Sequence, residues 1–231
     1  MTWTPTIYDW RRSLCPLDQS FRAGGLAIGG GMTLGGASVL HPEPGGRAEL
    51  TMTFPQIFRP EHAADASWTA SRIMNGTVWR IPLYGSVQLV SAADLDVPDA
   101  GQTWANGAAW ANDENWRANP FAYVTAAASK GAASFAVDMS ILGDVLKIGH
   151  VIGFHLDGYD FAHMVMDIDY VDGVATVTVE PPLRRALAVD DYLLFRPVMT
   201  ATCANGAEVL SAVRARRAVS FNGIRFVEAL V

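Results

Sequence analysis

Apolar and polar positions alternate most cleanly from Glu49 to Phe54. Leu50, Met52 and Phe54 face one way, and Glu49, Thr51 and Thr53 the other, which is the pattern of a half-buried strand. Pro55 ends it. The period then lengthens, with Ala63, Ala66, Ala70, Ile73 and Met74 at helical spacing. This predicts a helix that starts near Pro60, where proline suits the first turn and Glu61 meets the positive end of the dipole. Asn75-Gly76 is its stop signal. Trp68 lies off the apolar stripe, free either to anchor a partner or to be covered by its own domain. A second strand is expected from Thr77 to Ile81.

Short strands dominate from Phe135 on, with candidates at Ala133–Val137, Val151–His155, Phe161–Ile168, Val174–Val179 and Tyr192–Phe195. Asp157-Gly158 and Asp172-Gly173 are turn pairs of the kind hairpins use. Such a run of short strands predicts a small barrel or sandwich. Ahead of all this, the first 46 residues read as short strands or extended arms broken by glycine. At the end, Asn222-Gly223 between Ala218–Phe221 and Ile224–Val227 predicts a hairpin pairing Val219 with Phe226 and Arg217 with Glu228. The expected fold class is mainly β with a minor α part. It combines a β-sandwich or split-barrel terminal domain carrying one helix with an inserted, small, barrel-like β-domain.

Charge sharpens that division. The net charge is −6, with hydrophobic residues at 50% and charged residues at 17%, a composition that excludes a disordered chain. Residues 1–84 sum to +1 and 193–231 to +3, whereas 85–192 sum to −10. Read as organisation rather than accident, residues 1–84 and 200–231 make one domain and 85–199 an acidic insertion. A non-specific nucleic-acid coat is not expected from an acidic chain. No apolar run reaches the ~18 residues of a membrane helix, so no membrane insertion is expected. Met1–Pro5 has no basic-then-apolar pattern, so no signal peptide is expected.

Candidate chemistry is sparse. The glycine cluster holds neither G-x-G-x-x-G after a strand nor a P-loop. Asp167, Asp169 and Asp172 miss calcium-loop spacing and lack its closing glutamate. His150, His155 and His163, with Asp157 and Asp160, carry no zinc motif, so no metal or cofactor is expected. Cys15 and Cys203 stand alone, and no nucleophile motif or carboxylate pair stands out, so an enzyme is not expected. The most distinctive feature is a six-residue tryptophan spacing at Trp104, Trp110 and Trp116, interleaved with Asn106, Asn112, Asp113 and Asn115. Three readings stay open: a loop pinned to its own domain, a protein interface, or a sugar-stacking surface.

Five segments together look familiar: Lys130–Asp138, Leu146–Ile152, Phe161–Val165, Ala175–Ala186 with its Pro181-Pro182-Leu183-Arg184, and Phe221–Leu230 with its Glu228-Ala229-Leu230. The chain resembles tail proteins of long, non-contractile-tailed bacteriophages and related gene transfer agents. Within these it is similar to the distal tail protein, the ring joining tail tube to tail tip. The likeness covers 130–231 well and 47–84 more loosely. His150 departs from it, standing where a turn usually carries an acid, and the tryptophan repeat has no match. The resemblance implies a β-rich terminal domain with a helix, building a six-fold ring, and a peripheral β-domain inserted in it. It implies a hexamer of this chain, contacts with the tail tube protein and with hub or tip proteins, and passive passage of DNA through the lumen. It also implies a virion location after synthesis in a bacterial cytoplasm, and no catalytic residues. A neighbouring three-fold hub subunit, or a carbohydrate-binding tail-tip module working through the tryptophans, are the alternatives.

Overall fold

The structure is a computed structural model describing residues 5–24, 27–32, 38–42, 46–57, 59–85, 88–91, 95, 121–209, 221 and 223–229. The protein is mainly β. Its first part runs β1 (Ile7–Asp9), β2 (Asp18–Arg22), β3 (Ala27–Met32), β4 (Ser38–Pro42), β5 (Glu49–Thr53), α1 (Pro60–Met74) and β6 (Val78–Pro82). Then come β7 (Phe121–Val124), β8 (Ser134–Asp138), β9 (Val151–Leu156), β10 (Tyr159–Val171), β11 (Val174–Glu180) and β12 (Tyr192–Leu194). The chain closes with β13 (Val198–Cys203), a short α2 (Gly206–Val209) and β14 (Ile224–Glu228). No helix among the described residues is long and apolar enough to cross a membrane.

Strands from both ends of the chain share one six-stranded sheet in the order β1-β6-β13-β14-β5-β2. The pair β1–β6 is parallel and the rest are antiparallel. The predicted alternation in β5 holds, because Leu50 and Met52 are buried and Thr51 and Thr53 exposed. In α1, Ala66, Ala70 and Ile73 are buried as the stripe requires, and Thr69 joins them. Met74 departs from the expected stripe and is exposed, since it sits in the last turn beyond the core contact made by Ile73. Asn75 and Gly76 end the helix by donating to the carbonyls of Arg72 and Ile73 at 3.0 and 3.1 Å.

The helix covers the face that bears Trp79. There Trp10, Trp68 and Trp79, with Tyr8, Phe54 and Phe226, make edge-on and tilted ring contacts at 5.6 to 5.9 Å between centroids. Edge-on packing sets the positive rim of one ring on the negative face of the next. The opposite face carries Arg80 and Thr200, cross-strand partners that meet the second unit.

That unit is a closed barrel in the order β10-β11-β8-β7-β12-β9. Its interior is filled by inward side chains such as Val124, Phe135, Val137, Ile152, Phe154, Val165, Val177 and Leu193. The two predicted Asp-Gly turns are present. Asp157 and Gly158 have φ of 51° and 80°, Asp172 and Gly173 have 51° and 79°, and each pair links directly paired strand ends. Two positive φ values in succession match the twist of the flanking strands. A bulge between Val165 and Asp167 lets β10 bend from one neighbour to the next.

The C-terminal hairpin expectation is corrected. Its first arm lies largely outside the described residues, whereas β14 is sandwiched between β13 and β5, and Phe226 and Val227 pair on both sides. Local turn chemistry lost to a slot inside a sheet, where both backbone edges gain partners. Glu228 meets Arg184, whereas Arg217, its expected partner, lies outside the described residues.

Candidate functional site

Several connected polar side chains gather where the barrel meets the sheet. Arg80 leaves β6 and places Nε 2.9 Å from Oδ2 of Asp160 on β10. The Arg80 guanidinium also donates to the Gly158 carbonyl at 2.8 Å. The backbone N–H of Asp160 donates to the Thr200 hydroxyl at 2.9 Å, and His155 Nδ1 lies 2.7 Å from the second Asp160 oxygen. His155 and Asp160 come together because they are register partners across the β9–β10 hairpin. A cleft of about 570 Å³ opens beside them, lined also by Trp10, Arg12 and Cys15. At the crossing from barrel to sheet, a Cβ on Gly153 would sit 2.9 Å from Cβ of Pro197. Only glycine lets the two backbones approach so closely there.

A second connection is more deeply buried. Arg184, just after β11, donates from Nε to both carboxylate oxygens of Glu228 at 3.1 and 3.0 Å, and from a terminal nitrogen at 2.8 Å. The same terminal nitrogen donates to the Gly46 carbonyl at 2.7 Å, and the Ala48 N–H donates to Glu228 at 3.3 Å. Glu228 is 1% exposed and Arg184 14%. This forked, charge-assisted geometry is what makes a desolvated pair tolerable. Nearby, buried His163 donates from Nδ1 to the Pro181 carbonyl at 2.7 Å. Burial holds its imidazole below the ordinary value of 6.5, so it sits neutral near pH 7.

The three histidines singled out by their spacing are therefore not one site. His150 accepts the Lys147 N–H at 3.1 Å, His155 meets Asp160, and His163 faces Pro181. No group of three metal-binding side chains comes together among the described residues. Cys15 and Cys203 are both free thiols, the first exposed and the second half-buried with its acidity lowered by burial. Trp68 packs into its own domain against Tyr8 and Trp79. Its ring carries the Arg11 guanidinium at 4.4 Å and that of Arg72 at 5.6 Å. Trp104, Trp110 and Trp116 lie outside the described residues.

Sequence reasoning missed an aromatic cluster on the outside of the barrel. Phe121 and Tyr123 alternate outward from β7 while Ala122 and Val124 point in. Tyr192 stands opposite Tyr123 on β12. The three rings touch at centroid distances of 5.0 to 5.3 Å and are 40% to 53% exposed. The period-two pattern of Phe121-Ala122-Tyr123-Val124 was the available signal. The long-range pairs Arg184–Glu228 and Arg80–Asp160 had none, since each joins residues far apart in the chain. No family model matches this chain, and no curated protein matches it.

Proposed function

We propose that this chain is a structural ring subunit at the distal end of a phage-like, non-contractile tail, joining tail tube to tail tip. One observation carries the reading. Two of the short segments that carry the family likeness, Pro181-Pro182-Leu183-Arg184 and Glu228-Ala229-Leu230, meet through the buried Arg184–Glu228 pair. Two motifs that look unrelated in sequence thus have one physical task, which is to hold the barrel against the sheet. The chain path adds support, because strands from residues 7–82 and 198–228 share a sheet and those from 121–194 close separately. In this reading residues 1–84 and 200–231 build the ring and 85–199 decorate its outside. The partners are further copies of the chain in a hexamer, the tube protein, and hub or tip proteins, with DNA passing through unmodified.

The sheet ends in two edge strands, β1 and β2. Head-to-tail contacts around a closed ring use two different surfaces of each subunit. Among the described strands, β1 and β2 stand at opposite ends of the sheet and supply two such surfaces. The test is antibody labelling of intact particles viewed by electron microscopy. Label confined to the tube–tip junction is the expected result. Label on fibres, or on no particle, overturns the proposal.

A further inference from the structure

The exposed aromatic cluster is unusual for a barrel with a filled interior. Outward positions of such a barrel are ordinarily polar, yet Phe121, Tyr123 and Tyr192 form one contiguous surface. Phe121 stands nearly perpendicular to both tyrosines, at 87° and 81°, whereas the tyrosines are tilted by 48° to each other. The result is a seat of three rings set at steep angles to one another. Asp138 is the register partner of Tyr123 on β8, so its carboxylate shares that outer face. Hydrogen bonds from Ser140 lower the Asp138 pKa and keep it an acceptor. Asp191 adjoins Tyr192 and accepts the Ala188 N–H at 2.7 Å.

We propose that this seat binds a neutral saccharide, independently of whether the chain assembles into a ring. Ring faces carry negative potential and attract the polarised C–H groups of a pyranose face. Hydroxyl groups of the sugar donate to the carboxylate of Asp138, which only accepts. The described strands that carry the rings offer no cation to a charged occupant. Neither β7 nor β12 contains a basic residue, and no Lys or Arg lies between Arg185 and Arg196. Phosphates, nucleic acids and sulfated glycans would meet carboxylates with no cation in reach on those strands. A second copy of the same face would bring like charges together, which disfavours a homotypic contact.

The test uses the full chain. It is titrated with neutral tetrasaccharides of glucose, galactose, rhamnose and N-acetylglucosamine, with a heparin tetrasaccharide as the anionic control, and binding is followed by calorimetry and aromatic NMR signals. At least one neutral saccharide is expected to bind with a Kd of about millimolar or tighter. Tyr123→Ala and Tyr192→Ala should each weaken it by roughly tenfold or more, as losing a central aromatic anchor does. Circular dichroism checks that these surface variants remain folded. Trp104→Ala, Trp110→Ala and Trp116→Ala should retain binding. The proposal is overturned if no neutral saccharide binds, if heparin binds more tightly, or if affinity survives loss of both tyrosines. It is also overturned if sedimentation shows self-association that the tyrosine variants abolish.

Discussion

The open sheet and the closed barrel solve the same problem in different ways. Every barrel strand has two neighbours, so the barrel has no edge. Its interior is mostly aliphatic, with Phe135 and Phe154 in edge-on contact. The sheet stops at β1 and β2 and relies on a helix and a network of large rings. The barrel satisfies its own backbone by closing on itself. The sheet has to borrow, taking a helix on one face and the barrel on the other, where Val151 and Ala162 join its core. Closure makes an element self-sufficient, whereas openness makes it dependent on what packs against it.

The largest expected effect tests that dependence directly. Trp79 is fully buried at the centre of the ring network, and Phe154 is its counterpart inside the barrel. Trp79→Ala and Phe154→Ala should each cost about 3–5 kcal/mol in urea unfolding. If the junction makes sheet and barrel one cooperative unit, tryptophan fluorescence and far-ultraviolet circular dichroism will give coincident transitions. Separated transitions for Trp79→Ala, with part of the β signal surviving, would instead show a barrel that stands alone.

Comparable in size is the loss of the buried bridge. Arg184→Ala leaves the Glu228 carboxylate desolvated and should destabilise by about 3–5 kcal/mol. Replacing both, Arg184→Met with Glu228→Leu, should recover most of that, because neither charge is then stranded. A double variant no better than the single one would mean that the pair does more than neutralise itself.

A smaller effect depends on pH. His163 is held neutral by burial in the folded state, while the unfolded chain takes up a proton near the ordinary value of 6.5. Above that value both states are neutral and the group has no influence. As pH falls below it, the unfolded state binds more protons, so stability is progressively lost until the lowered folded value is reached. The loss should run at up to about 1.4 kcal/mol per pH unit. Urea midpoints at pH 7 and pH 5 for the protein and for His163→Asn will check it, since the variant should flatten the slope. Smallest of all is Arg11→Ala. It removes the guanidinium 4.4 Å from the Trp68 ring centroid and should cost roughly 0.5–1 kcal/mol.

Much of this architecture was legible residue by residue. The Glu49–Thr53 strand, the Pro60–Met74 helix and the hairpins at Asp157-Gly158 and Asp172-Gly173 are all written in neighbouring residues. Their signals are periodicity, proline and glycine placement, and turns needing positive φ. Strand β13 escaped notice because Val198–Cys203 lacks a clear alternation, and β1 and β2 were legible only as unplaced short strands or extended arms. Their neighbours in the sheet, not their own pattern, make them strands. The same holds for the candidate site, since Phe121 and Tyr123 showed their alternation but not their meeting with Tyr192 across a barrel seam.

The chain by itself determined the β-rich class, the Pro60–Met74 helix and the two aspartate–glycine hairpins, because those follow from interactions within a few residues. Only the tertiary structure decided that β14 would lie between β5 and β13 rather than fold back into a local hairpin. It alone also decided that Glu228 would meet Arg184, and that Trp68 would turn into its own domain. Pairing in a sheet and burial of a charge depend on which distant segments arrive alongside. That choice is made by the free energy of the whole packed arrangement, which no window of neighbouring residues contains.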